Sequence, residues 1–152
     1  MANEFAKEIA SFVKGCGLEP ILSTSYVPTP SCSLYAKKFM ILGCLVITAS
    51  HNPYNWLGLK IKSFKGCSVD ESFTKEVEKR LLLGNSIERL EGAYEKVDIK
   101  KFHTDQIKSN FNIDFIANNL KKMNLHIFVD SMNGSAANCI SQIFEGYDSK
   151  IF

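Results

Sequence analysis

The chain has 152 residues, 45% apolar and 22% charged, with a net charge of +2. Those proportions are globular; they exclude collagen-like, low-complexity and disordered chains, and the length fits one ordinary domain or one domain with part of another. The longest apolar run, Phe39 to Ile47, is broken by Gly43 and falls far short of the ~20 residues of a membrane span, while Met1 to Ala10 carries Glu4 and Glu8 and has no apolar segment of the signal-peptide kind.

The charge is unevenly spread. From Pro20 to Val69 there is no acidic residue, whereas Lys37, Lys38, Lys60, Lys62 and Lys65 give this window a local charge of +5. A stretch cleared of carboxylates suits an anionic partner, because a neighbouring carboxylate would repel it. Nucleic acid is not the expected partner: there is no Arg-rich run and the isoelectric point is only about 8.2. The five cysteines (Cys16, Cys32, Cys44, Cys67 and Cys139) are an odd number, with no C-x-x-C and no zinc spacing. They read as reduced, mostly buried thiols of a cytoplasmic protein.

In chain order, Asn3 is placed to cap a first helix whose Phe5, Ile9, Phe12 and Val13 form one apolar stripe, stopped by Gly15 and Gly17. Leu18 to Ser23 reads as a short strand. Thr29 as N-cap and Pro30 at the first helical position start a second helix running to about Met40. Gly43 to Thr48 is apolar and β-branched, a buried strand. A loop spans Ala49 to Trp56. Leu57 to Phe64 alternates, with Leu57, Leu59 and Ile61 on one face and Gly58, Lys60 and Lys62 on the other. Ser68-x-x-Glu71 is a capping box for a helix over about Asp70 to Leu83, with Phe73, Val77 and Leu81 facing inward. Gly84 to Val97 is polar, a loop with a short strand.

A shift in composition at Asp98 divides the chain into residues 1–97 and 98–152. Beyond it, helices are expected over Lys101 to Asn110 and Asp114 to Met123. A strand follows at Leu125 to Val129, a turn at Met132 to Ser135 and a helix over Ala136 to Phe144. Ile151-Phe152 reads as the start of a further strand. Alternating strands and helices predict an α/β fold with a mixed, largely parallel sheet flanked by helices in three layers, incomplete at both ends.

The chemistry concentrates in Thr48-Ala49-Ser50-His51-Asn52-Pro53, at the carboxyl end of a buried strand, where α/β sheets bind ligands. Asn52-Pro53 kinks the loop. A hydroxyl, an imidazole and nearby lysines suit phosphoryl transfer, in which a hydroxyl carries the group and cations offset its charge. Which face of the Lys60–Lys62 strand looks at the loop is not decided by sequence. The G-x-S-x-G elbow of α/β-hydrolases is absent. His103 and His126 lack partners at metal spacing and read as structural.

The string Ile47-Thr48-Ala49-Ser50-His51-Asn52-Pro53, followed by Gly58-Leu59-Lys60, closely resembles the phosphoserine loop of the α-D-phosphohexomutase family, which includes phosphoglucomutases and phosphomannomutases. Val27-Pro28-Thr29-Pro30 and Val129-Asp130-Ser131-Met132-Asn133-Gly134 look like two further elements of that family, in the same order. The resemblance implies that Ser50 carries a phosphoryl group and gives it to a hexose phosphate. A hexose bisphosphate then turns round and returns its other phosphate. By the same resemblance, the phosphoserine oxygen is one ligand of Mg²⁺, and hexose 1,6-bisphosphate is the activator. His51 and Asn52 line the phosphoryl site, Lys60 holds phosphoryl oxygens or assists proton transfer, and Lys62 adds positive charge.

Leu57 stands where the family usually has Asn, a variation found among subfamilies. The family's leading strand and hairpin, its three-aspartate metal loop and its sugar-reading domains have no counterpart in the sequence. The expectation is therefore a fragment covering most of the first domain and the start of the second, inactive alone and prone to self-association through uncovered surfaces. A non-catalytic sugar-phosphate or anion-binding module, or a decayed paralogue, is the alternative.

Overall fold

The computed structural model describes residues 1–84 and 91–147. The elements run α1 (Ala2–Gly15), β1 (Ile21–Ser23), α2 (Thr29–Phe39), β2 (Gly43–Thr48), β3 (Gly58–Ser63), α3 (Glu71–Leu82), β4 (Glu95–Val97), α4 (Ile99–Asn110), α5 (Ile113–Lys122) and α6 (Cys139–Ile143). The α/β class expected from the alternation is what the chain adopts. Its strand pairing is mixed: β1 runs parallel to β4, and β2 is antiparallel to β3. The second pair is the longer, joining all six residues of each strand from Gly43↔Ser63 to Thr48↔Gly58.

Helix ends follow local chemistry. α1 stops where Gly17 turns left-handed at φ +84°. In α2 the N-cap is Pro28, so Thr29 and Pro30 sit one position deeper than the pattern predicts, and no side chain caps the helix. Asp98 caps α4 by accepting from the Lys101 N–H at 2.9 Å, and Asn112 caps α5 by accepting from Phe115 N–H at 2.8 Å.

The core forms where α2 meets β2 and α4. Ser31, Tyr35 and Ala36 on α2 are buried, as is Val46 on β2. Tyr35 meets Phe39 and Phe102 at ring-centroid distances of 4.5 and 5.1 Å, the latter edge-to-face. α4, which lies beyond the compositional shift at Asp98, thus packs directly on α2.

Several expectations need correction. The capping box does not form: Asp70 is the N-cap of α3 without a side-chain bond, and the Ser68 hydroxyl instead accepts from Lys62 Nζ at 2.9 Å. Ser68 is drawn into a one-residue antiparallel bridge with Lys62, and Val69 N–H donates to Ile61 C=O, so this segment runs alongside β3 before the helix begins. Phe73 and Leu81 are exposed, Val77 is only half-buried, and α3 fully buries none of its residues. Among the described residues Leu125 to Val129 forms no named strand, only a single bridge residue at Ile127, and Leu125, Phe128 and Val129 are exposed. His126 therefore lies outside any strand, while His103 lies in α4 as expected. Of the cysteines, Cys139 alone is buried; Cys16 and Cys67 are exposed and all five are free thiols. The segment at Gly84 to Val97 contains β4, but its residues 85–90 lie outside the described residues, as do Ile151 and Phe152.

Candidate active site

The strand β2 delivers the chain to the loop at Thr48. Two residues later Ser50 adopts the left-handed conformation at φ +57°, a region that costs non-glycine residues about 1–2 kcal/mol. The Ser50 N–H donates to the Thr48 hydroxyl at 3.0 Å, which holds the bend. Two backbone turns complete the loop: Asn52 N–H donates to Ala49 C=O at 3.0 Å, and Trp56 N–H to Pro53 C=O at 2.9 Å. Ser50 through Lys60 are all exposed. The hydroxyl therefore stands clear of the core, with open space for an anion beside it.

His51 follows the serine, and its Nδ1 lies 3.4 Å from Ser50 Oγ, a long contact for a hydroxyl–imidazole bond. Asn52 and Pro53 form the bend beyond it. The antiparallel register decides the question of the lysine face. Val46 is opposite Lys60, Cys44 opposite Lys62 and Thr48 opposite Gly58. Alternation then places Thr48, Val46, Cys44, Lys60 and Lys62 on one face, and Leu45, Ile47, Leu59 and Ile61 on the other. Lys60 is a diagonal neighbour of Thr48, at a Cα spacing of about 7–8 Å. It is exposed and has no carboxylate partner among the described residues.

Lys62 sits two residues further from the loop and is engaged with Ser68. Lys65 lies beyond the far end of β3, its Nζ 5.7 Å from the centroid of the Phe64 ring. Ser50, His51 and Asn52 therefore lie at one end of the strand pair, with Lys60 midway along β3 and Lys62 and Lys65 towards the other end. The residue that sequence reasoning left without a role is Thr48. Its hydroxyl two positions before Ser50 is the signal, a side-chain acceptor for a turn amide.

Among the described residues no three His, Cys, Asp or Glu side chains converge on one point. They do not by themselves assemble a site for Mg²⁺, which demands near-octahedral oxygen ligands. No helix among them is long and apolar enough to cross a membrane.

Residues 1–86 match the sequence profile of "Phosphoglucomutase/phosphomannomutase, alpha/beta/alpha domain I". The chain belongs to the phosphoglucomutase/phosphomannomutase family. The matched segment contains the whole Ser50 loop and both strands that carry it. Among curated relatives, the chain is 33% identical over 123 residues to a phosphoglucosamine mutase of Psychromonas ingrahamii, covering 78% of this chain and 26% of that protein. It is 28% identical over 118 residues to a phosphoglucomutase of Staphylococcus saprophyticus, covering 78% of this chain and 20% of that protein. The crystal structure of a Thermus thermophilus protein assigned as a phosphomannomutase superposes with a TM-score of 0.84 at 27% identity, over 99% of this chain and 33% of that one. The chain thus spans about a fifth to a third of the length of these family members.

Proposed function

We propose that Ser50 is the phosphoryl carrier of a phosphohexomutase. The observation that carries this reading is an exposed serine hydroxyl held on a left-handed bend at the end of β2, with a lysine on the adjoining strand that has no carboxylate partner among the described residues and no carboxylate in the surrounding sequence. In the forward step the bond between Ser50 Oγ and phosphorus breaks, and a new bond forms from phosphorus to a hexose hydroxyl, whose proton ends on the freed Ser50 Oγ. The resulting hexose bisphosphate turns and returns its other phosphate to Ser50, so that phosphate has moved between C1 and C6.

Lys60 offsets charge on the transferring oxygens, a role an ammonium fills as a point charge. His51 and Asn52 border the same space, and Lys62 adds to the positive field along the strand. The Mg²⁺ expected of the reaction would take the phosphoserine oxygen as one ligand. The described residues supply no set to complete its shell, so no step is assigned to it. We propose hexose 1,6-bisphosphate as the activator, since it is the intermediate itself, and that the 152-residue chain alone does not complete the cycle.

The remaining parts of the reading have physical grounds of their own. A division near Asp98 rests on the change of composition there, although Phe102 ties α4 to α2. Five free thiols favour a reducing, cytoplasmic setting. We propose self-association as well, and the extent of exposed surface supports it. The chain exposes 11245 Å², about 3,500 Å² more than a compact 17.0 kDa monomer, and a standard interface needs only about 800 Å² from each partner.

The test is the intact mass of the protein, followed by peptide mapping. One phosphate on Ser50, absent from the Ser50→Ala variant, is the expected result. A phosphate mapped elsewhere, or mutase turnover that survives Ser50→Ala in an active preparation, refutes the assignment. Binding of a hexose phosphate with no phosphate ever accepted would mark a non-catalytic anion-binding module instead.

A further inference from the structure

Two cysteines meet on the covered side of β2. The inward face of α2 carries Ser31, Tyr35 and Ala36, all buried, and Cys32 lies beside Ser31 on the turn preceding Tyr35 and Ala36. On β2, Cys44 shares its face with the buried Val46, and this is the face against which α2 packs. Cys32 on α2 and Cys44 on β2 thus lie at the same helix–strand interface, each half-buried. Across the strand pair Cys44 faces Lys62. The nearby Cys67 is not a competitor, because its Sγ lies 3.3 Å from the hydroxyl of Ser63, whose side chain alternates to the opposite face from Lys62 and Cys44. Cys139 is buried in α6, and Cys16 lies at the end of α1.

We propose that Cys32 and Cys44 form an oxidation site, closing on reaction with a hydroperoxide to a disulfide that ties α2 to β2. Both thiols are half-buried, accessible to a molecule as small as hydrogen peroxide. The roles divide between them. Hydrogen bonding from Cys32, aided by the charge of Lys62, holds the Cys44 thiol below its ordinary pKa, against the opposing effect of burial. The same bond to Cys44, together with burial, pushes the Cys32 thiol up. Cys44 is thus the more readily ionised of the two, and Cys32 the one that holds its proton more firmly.

The Cys44 thiolate attacks one peroxide oxygen: an S–O bond forms, the O–O bond breaks, and hydroxide leaves. That hydroxide takes up the proton Cys44 gave up on ionising. The Cys32 sulfur then attacks the Cys44 sulfenic acid: the S–S bond forms, the S–O bond breaks, and water leaves with the Cys32 proton. Two thiols are oxidised and one peroxide is reduced to two waters. The cross-link would pin the strand that ends at Thr48, two residues before Ser50, but the inference does not depend on what Ser50 does.

The experiment counts thiols. The purified chain is treated with hydrogen peroxide, denatured, alkylated with N-ethylmaleimide and analysed by intact mass and non-reducing peptide mapping. Two of the five cysteines should drop out of alkylation, return on adding dithiothreitol, and appear as one Cys32–Cys44 cross-linked peptide. In Cys32→Ser the Cys44 oxidation should stop at a dimedone-reactive sulfenic acid. The proposal is overturned if all five thiols remain alkylatable once methionines have begun to oxidise. It is equally overturned if the cross-link joins any other pair.

Discussion

Gly66 is where the far end of the β2–β3 pair closes on α2, and replacing it by alanine tests how that pair is held. Gly66 turns left-handed at φ +80°, and its N–H donates to Ser63 C=O at 2.9 Å. A Cβ there would press on the carbonyl oxygen of Ser33 and lie 3.1 Å from the carbonyl carbon, both fixed backbone atoms of α2. Gly17 is the control: its φ is +84°, nearly the same, yet a Cβ would meet nothing within 4 Å. The left-handed penalty of about 1–2 kcal/mol is common to both, as is the partial offset of about 0.4–1 kcal/mol from a stiffer unfolded chain. The difference is then the crowding alone, about 1–3 kcal/mol by the usual cost of overpacking. Gly66→Ala should therefore melt about 3–9 °C below Gly17→Ala at this chain length. Thermal unfolding by circular dichroism measures it, with urea titration checking that the m-value is unchanged. Equal losses in the two variants would mean that the Gly66 turn does not bear on α2, and the close approach of hairpin and helix would be wrong.

Two further predictions concern the same strands. Ser50→Gly removes the Cβ from a left-handed position, relieving about 1–2 kcal/mol, and glycine's extra unfolded-state freedom gives back about 0.4–1 kcal/mol; the variant should be at least as stable as the parent while accepting no phosphate, as urea titration and intact mass would report. A clear loss of stability would show that the hydroxyl holds the fold rather than a phosphoryl group. Leu45 and Leu59, 45% and 52% exposed on the face of the pair opposite Val46, should support self-association, so Leu59→Lys should shift light-scattering mass toward the monomer; a parent that is already monomeric across concentrations contradicts the surface argument.

What the sequence makes legible depends on whether the deciding force is local. The bounds of β2 were readable because an apolar, β-branched run ends at a turn signal, and the alternation through Lys60 and Lys62 was readable because period two is a property of any strand. The capping box at Ser68 failed because its competitor was not local: Lys62, six residues back, captured the hydroxyl through a strand bridge. Phe73 and Leu81 carried a sound helical stripe, but a stripe states only that a face seeks cover, not that the described residues provide it. The site divides in the same way. Ser50, His51 and Asn52 are contiguous, so their proximity needed no fold. The side of the strand on which Lys60 projects relative to Thr48 required the pairing register, which two strands settle jointly and neither encodes alone.

That register also explains why a serine tolerates a backbone conformation better suited to glycine. The bend must leave the sheet within two residues of Thr48, and the Thr48 hydroxyl secures the Ser50 amide that the ladder no longer pairs. Glycine would make the bend at lower cost. Backbone strain of this kind gathers where a group must be presented rather than packed, which fits the proposed use of the Ser50 hydroxyl. The conformational penalty at Ser50, its exposure and a Lys60 with no carboxylate partner among the described residues are three observations that support the proposed display of a hydroxyl to an anion.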